Sequence, residues 1–321
     1  MIQHYNCHNR TTEIWSRPLV YALGVPQMAM TFTSVVFNSV VILVVTCSKD
    51  LHKPICILFC NLAVSDFLTS SSGFWIATMF IMNPESTMVG TKDLLKAYTF
   101  YIISILATIY NLVAIGIERY LAVTESLWTR HRITRNQILG VVFVIWVFAF
   151  FLGFMPLMGW NCLEQENISA LYGPLCIDYL LFIAIPHSAM ALILPFFTYI
   201  SIIGFLRKQN KSMGALGQHH TTYRLAEIQV VRTSVLIWVL TLLSYTPFFV
   251  GAVFDSATQR CLRDLFPGIY IFRNLTAMMI TINSLGNPII YTFNVKRLGH
   301  RIKPLRCPSN NRIEVQAIGK M

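Results

Sequence analysis

Charge is the scarcest property of this chain. Asp, Glu, Lys and Arg together make up 12% of its 321 residues, roughly half the share typical of a soluble domain. Beside 55% hydrophobic residues, so few charges exclude a soluble globular domain of this size, and equally a disordered or collagen-like chain. Catalytic motifs are missing too. No His-Glu-x-x-His, no Gly-rich phosphate loop and no paired-carboxylate site occurs, so the chain is not expected to be an enzyme. His219-His220 is better read as part of a solvated loop than as a metal site. No internal repeat is visible, which argues against a transporter built from two matching halves.

What the chain has instead is long apolar runs. A bilayer core takes roughly 20 apolar residues as helix, and seven stretches qualify: 18–48, 54–84, 97–117, 138–158, 179–206, 233–254 and 265–293. Only Asp66 and Arg273 carry a formal charge within them. The runs lack the alternation of barrel strands. The expected fold is therefore an all-α membrane protein, a seven-transmembrane helix bundle. Residues 1–17 form an extracellular N-terminus, 18–293 the bundle, and 294–321 a short amphipathic cytoplasmic helix and tail.

Basic residues set the orientation. With the N-terminus outside, the outer segments hold Arg10, Arg17, Lys92, Lys96, Arg260, Arg263 and Arg273, and the other 18 of the 25 Lys and Arg fall inside. That bias puts the C-terminus in the cytoplasm. The net charge of +11 then reads as a cytoplasmic face meeting membrane lipids or an acidic partner, with no nucleic acid required. The sequons at Asn9 and Asn167 both fall outside, as glycosylation needs; a third match at Asn210 falls inside, so the pattern alone is weak. The N-terminus is short and polar and shows no cleavable signal peptide. Cys7, Cys162, Cys176 and Cys261 face the oxidising side, where three pairings are open to them. Cys47, Cys56 and Cys60 read as small packing residues, and Cys307, after a basic stretch, as a palmitoylation candidate.

Polar residues inside apolar helices are costly in lipid, so each is a functional candidate. Their pattern resembles the rhodopsin-like (class A) G-protein-coupled receptors over residues 38–303. Asn38 matches the helix-one asparagine and Asn61-Leu62-Ala63-Val64-Ser65-Asp66 the second-helix motif. Glu118-Arg119-Tyr120 matches the acidic-Arg-Tyr triplet, Trp146 the fourth-helix tryptophan, Pro247 the sixth-helix kink, and Asn287-Pro288-Ile289-Ile290-Tyr291 the seventh-helix motif. Six motifs in order on their proper helices make a specific match.

The resemblance implies roles. Asp66 with Asn38, Thr108, Asn283 and Ser284 would surround a sodium ion that favours the inactive state; a protonated, hydrogen-bonded carboxyl is the plainer alternative. Arg119 would pair with Glu118, and with Glu227 to clamp two helices at rest. Tyr120, Tyr199, Pro247, Asn287, Pro288 and Tyr291 would complete the switch. Implied partners are a heterotrimeric G protein, arrestin and receptor kinases, at the plasma membrane; beyond that sodium ion, no cofactor is implied.

Departures narrow the group. No cysteine lies between Cys60 and Cys162, so the family's usual bridge from the third helix to the outer loop cannot form; a Cys162–Cys176 bridge within the loop is implied instead, and whether Cys7 and Cys261 pair with each other stays open. Together with the missing fifth-helix proline (Ala191 stands there, with Pro195 nearby), this looks like the lysophospholipid and cannabinoid receptors, nearest the lysophosphatidic acid branch, with adenosine and orphan receptors more distant. Tyr101 stands where amine receptors carry an aspartate, and Thr281 where opsins carry their lysine. The ligand expected is thus a lysophospholipid or related lipid, with Lys96 and Arg273 gripping an anionic head group and Tyr98, Tyr101, His187 and Tyr245 lining the cavity. The rivals are a receptor for a small soluble ligand such as a nucleoside, one with high basal activity, and a seven-helix transporter or channel. Ser244-Tyr245-Thr246-Pro247 replaces the usual Cys-Trp-x-Pro, and Thr241 replaces the aromatic below it.

Overall fold

The computed structural model describes residues 15–48, 51–124, 133–163, 168–169, 173–215, 222–258 and 267–294. Seven long helices run through them: α1 (Arg17–Cys47), α2 (Pro54–Met82), α3 (Lys92–Thr124), α4 (Arg135–Gly153), α5 (Ile185–Ala215), α6 (Thr222–Thr258) and α7 (Pro267–Asn294). Three of them, α3, α5 and α6, outrun the apolar stretches that forecast them. Helical hydrogen bonding continues past the bilayer wherever caps allow it, so α3 gains a turn or more at each end. α4 instead stops at Gly153, before the turns that surround Pro156.

The starts of these helices are written locally. Pro18 and Pro54 occupy the first turns of α1 and α2, where a missing N–H costs nothing. Thr134 and Gln137 form a capping box at α4, each side chain serving the other's backbone. Along the spans, hydroxyls of Thr33, Ser39, Ser71 and Thr78 turn back onto carbonyls of their own helix, which keeps them satisfied without water.

Among the described residues, six helical segments are long and apolar enough to cross a membrane. The remaining helix, α7, is as long as its neighbours at 28 residues. Its buried Arg273, Thr276, Thr281, Asn283, Ser284 and Asn287 make it more polar, and those side chains turn inward.

The helices close into a ring around α3. α1 packs on α2 and α7, α6 packs on α7, and α3 touches α2, α4 and α5. Two apolar clusters lie along α3, one around Leu94–Ile109 with Tyr179, Tyr245 and Phe248, the other around Leu112 and Ile115 with Leu58, Leu62 and Ile237. α4 comes so near α3 at Gly153 that a Cβ there would collide with Ile103 Cγ1.

One end of the bundle carries structure that helical periodicity did not forecast. β1 (Ile168–Ser169) and β2 (Gly173–Cys176) pair antiparallel, and a turn at Ile177–Tyr179 plus a π-helical turn at Leu180–Ala184 lead into α5. A single turn at Ser86–Val89 precedes α3. It ends at Gly90, whose φ of 83° favours glycine and brings its backbone against Pro174 of β2. This is the hairpin end; the opposite end is marked by Arg119.

Cys60 is a free thiol, as expected of a packing residue, and Cys56 is half-buried in the same helix. Cys47, half-buried at the end of α1, is instead disulfide-bonded, which corrects the packing reading for that residue. The amphipathic helix expected after α7, together with Cys7, Asn9, Asn167, Cys261 and Cys307, falls outside the described residues.

Candidate functional site

The polar residues of the spans gather in three places along the bundle axis. The middle one is built on Asp66, fully buried in α2. Its direct partner is Asn287 of α7, whose Nδ2 donates to Asp66 Oδ2 at 2.7 Å. Asn38 of α1 donates to the Ser284 carbonyl at 3.0 Å and to Ser34. Ser70 reaches the Ser34 hydroxyl at 2.7 Å, Thr108 donates to Ser65 at 2.9 Å, and Thr241 of α6 donates to Asn283 Oδ1 at 3.0 Å. The five residues expected around an ion are thus all buried in one polar core. The sequence had set Asn287 apart as a switch residue, whereas here it is the aspartate's own partner.

Several oxygens in this core have no hydrogen-bond partner: Asp66 Oδ1, Asn38 Oδ1, Ser284 Oγ and Asn287 Oδ1. Unsatisfied buried polar atoms are expensive, and four oxygens, one of them a carboxylate's, make a hard donor set. That chemistry fits a small hard cation.

The second place is the Arg119 end of α3. Arg119 Nε and Nη2 donate to the two carboxylate oxygens of Glu118 at 2.5 Å each, and both side chains are nearly buried, at 4% and 6% exposure. A bidentate charge-assisted pair is among the stronger polar contacts available. Tyr120, next along the chain, points outward. Glu227 and Tyr291 sit in α6 and α7, but their side chains lie outside the described residues. Tyr199 is buried with its hydroxyl unpartnered, its ring 6.0 Å from that of Trp238 in α6. Pro247 and Pro288 lie within α6 and α7 as expected, and each withholds one helical hydrogen bond.

The third place is a cavity at the hairpin end, between α1, α2, α3 and α7. Gln27, Phe80, Thr87, Tyr98, Tyr101 and Arg273 are among its walls, and its free volume is about 40 Å³. Arg273 is 6% exposed. Its guanidinium donates to the Thr87 carbonyl at 2.9 Å and the Thr87 hydroxyl at 3.1 Å. Tyr101 OH and Gln27 Oε1 face this region with no hydrogen-bond partner.

The expected ligand residues therefore divide. Arg273, Tyr98 and Tyr101 share the cavity, but Lys96 is not among its walls: its side chain is 53% exposed and ion-pairs with Asp93 at 2.9 Å. The two cations thus do not share the cavity, Lys96 lying on the outward face of α3. His187 turns back on its own helix, Nδ1 to the Ile183 carbonyl at 2.7 Å, with its ring against Tyr110. Tyr245 is fully buried beside Phe249 with its hydroxyl unpartnered.

Sequence reasoning missed the hub that joins three helices. Trp146 Nε1 donates to Asn61 Oδ1 at 2.8 Å, Asn61 donates to Asn111 at 3.0 Å, and Asn111 to the Leu58 carbonyl at 2.9 Å. Two asparagines among apolar residues were the available signal. The bridge Cys162–Cys176 is present with a Cα separation of 5.1 Å, and it closes the loop that contains the hairpin, as implied.

Comparison with known proteins agrees with this geometry. Residues 37–291 match the family described as 7 transmembrane receptor (rhodopsin family). The chain is 25% identical to lysophosphatidic acid receptor 1 of Mus musculus, across 91% of this chain and 77% of that one. It is 22% identical to lysophosphatidic acid receptor 3 of Rattus norvegicus, across 84% and 74%. The crystal structure of squid rhodopsin superposes with a TM-score of 0.75 at 18% identity, covering 93% of this chain and 90% of that one, which speaks for the fold.

Proposed function

The chain belongs to the rhodopsin family of seven-transmembrane receptors, and on that footing we propose that it passes extracellular binding of an anionic lipid to a heterotrimeric G protein. The family consists of receptors, and this chain is no enzyme. The N-terminus and the hairpin end face outside, as the basic residues indicate, and the receptor works at the plasma membrane. Arrestin and receptor kinases act on its cytoplasmic face.

The buried pair of Glu118 and Arg119 carries the signalling part of this reading. An arginine held by its own neighbour, at the end of the central helix, is a latch. Release of the latch and movement of α6 about Pro247 open a cleft for the partner, and a ligand biases that equilibrium only by binding the open state better. Asp66, Asn38, Ser284 and Asn287 would hold a sodium ion, whose charge would answer the unpartnered oxygens there and favour the resting state.

Arg273 carries the ligand part. It is a buried cation on the wall of the cavity, and a guanidinium makes strong, bidentate hydrogen bonds with an anionic head group. Tyr98 and Tyr101 supply further donors. The relatives named for lysophosphatidic acid support a lysophospholipid as the ligand class.

The test is a panel of lysophospholipids on cells that express the protein, with G-protein activation as the readout. A response to acidic lysolipids, absent in Arg119→Ala at equal surface level, is expected. Normal signalling by Arg119→Ala overturns the coupling mechanism, and a response indifferent to head-group charge overturns the ligand class.

A further inference from the structure

Two polar groups on the walls of the Arg273 cavity have no partner among the described residues. Gln27 of α1 is 7% exposed and Tyr101 of α3 is 5% exposed, yet neither Gln27 Oε1 nor the Tyr101 hydroxyl makes a hydrogen bond. They do not bond to each other either, so a gap lies between them. Gly73 of α2 lines the same cavity. A Cβ there would lie 3.8 Å from Tyr101 Cε2 and 3.9 Å from Gln27 Nε2, so the two side chains meet over a stretch of bare backbone.

The chain fixes which atom Gln27 offers. The Thr281 hydroxyl donates to the Ala277 carbonyl at 3.0 Å, which leaves its oxygen to accept, and Gln27 Nε2 donates to it at 2.9 Å. The amide nitrogen is committed to α7, and the amide oxygen is what remains for the cavity. An amide oxygen only accepts, whereas a phenol both donates and accepts. Buried groups of this kind are costly without partners. The cavity's free volume of about 40 Å³ has room for small polar atoms but none for an acyl chain.

The two groups select what can sit between them. A carbonyl or ester oxygen accepts from Tyr101 but meets Gln27 Oε1 acceptor to acceptor. An ammonium serves Gln27 but gives the Tyr101 proton no acceptor. A hydroxyl accepts from the phenol and donates to the amide oxygen, and satisfies both. We propose that Gln27 and Tyr101 read a free hydroxyl on the ligand, the glycerol hydroxyl beside the phosphate of an acidic lysolipid. This rests on the lysolipid reading above and sharpens it, because a site built for a hydroxyl rejects a lipid that lacks it. Gln27 then determines specificity from α1, a helix with no other part in ligand recognition.

The test compares oleoyl lysophosphatidic acid with the oleoyl ester of propanediol phosphate, the same lipid without the hydroxyl. Cells expressing the full chain report G-protein activation, and the readout is the ratio of the two half-maximal concentrations. The wild type should prefer the hydroxyl lipid by roughly tenfold to a hundredfold, as one buried hydrogen bond left unmade implies. Gln27→Met keeps the length of the side chain without the amide and should bring the ratio close to one, by weakening the hydroxyl lipid alone. Tyr101→Phe keeps the ring and should lower the ratio part of the way. Ser39→Ala, which removes a bond elsewhere in α1, should keep the preference. A ratio between two ligands on one variant does not move with its surface level.

Equal potency of the two lipids on the wild type overturns the subsite, which would then hold ordered water only, and leaves the lysolipid class standing. A preference unchanged in Gln27→Met also overturns it, as does one lost equally in Ser39→Ala. A wild type that answers neither lipid overturns the ligand class, and the subsite with it.

Discussion

The side-chain amide of Asn38 in α1 donates to the carbonyl oxygen of Ser284 in α7 at 3.0 Å. Ser284 precedes Pro288 by four residues, so its carbonyl is the one that the proline leaves without a helical donor. In a bilayer no water repairs such a loss. Asn38 repairs it across the helix boundary, and a break in α7 becomes a bond between α1 and α7.

Removing that repair should be felt in stability. Asn38→Ala is expected to destabilise the protein by about 1–3 kcal/mol, the cost of an unmade buried hydrogen bond. Ser39→Ala, which removes only a bond within α1, should cost far less. Apparent melting temperatures in detergent compare the two, and equal losses would contradict the assignment.

Sodium should stabilise the wild type relative to choline at the same ionic strength, and Asp66→Asn should abolish the difference. The substitution removes the charge that attracts the cation while keeping a similar shape. Thermal melts in the two chlorides report this directly, and sodium dependence in Asp66→Asn would remove the ion from that site.

Glu118→Gln should raise basal signalling. The variant replaces a bidentate ionic contact with a neutral hydrogen bond roughly half as strong, so the latch on Arg119 opens more often. Ligand-free G-protein activation at matched surface level is the measurement; an unchanged basal rate would mean that Glu118 does not hold the resting state.

Arg273→Gln and Lys96→Gln should behave differently. The first removes a buried cation, and loss of one charge-assisted contact of about 1.5–3 kcal/mol shifts the response to acidic lysolipids by roughly tenfold to a hundredfold. The second removes an exposed charge already paired with Asp93 and should leave the dose-response curve in place. Equal shifts would restore the two-cation grip.

Much of this was legible in the chain because lipid makes polarity conspicuous. Asp66, Arg119 and Asn287 stand out in apolar runs, and their helices follow from run length alone. The partners were harder to read. Nothing local links Arg273 to Thr87, since 186 residues separate them and the contact depends on how a one-turn helix settles before α3. The Lys96–Asp93 pair was within reach, because a spacing of three on a helix places the two side chains as neighbours. Asn38 was recognisable as a polar residue but not as a repair, which needs the register of α1 against α7. The hairpin escaped notice because strands of two and four residues leave no periodic trace.

The contact of Gly153 with Ile103 makes those two positions share one fixed volume. A methyl group added at 153 has nowhere to go unless atoms are removed at 103, so the pair is exchangeable only jointly. Gly153→Ala alone should force α4 off α3, whereas the same change beside Ile103→Ala should be accommodated. Over long divergence, the two sites would then drift as a couple, one growing as the other shrinks, and their joint history would record the distance between α3 and α4.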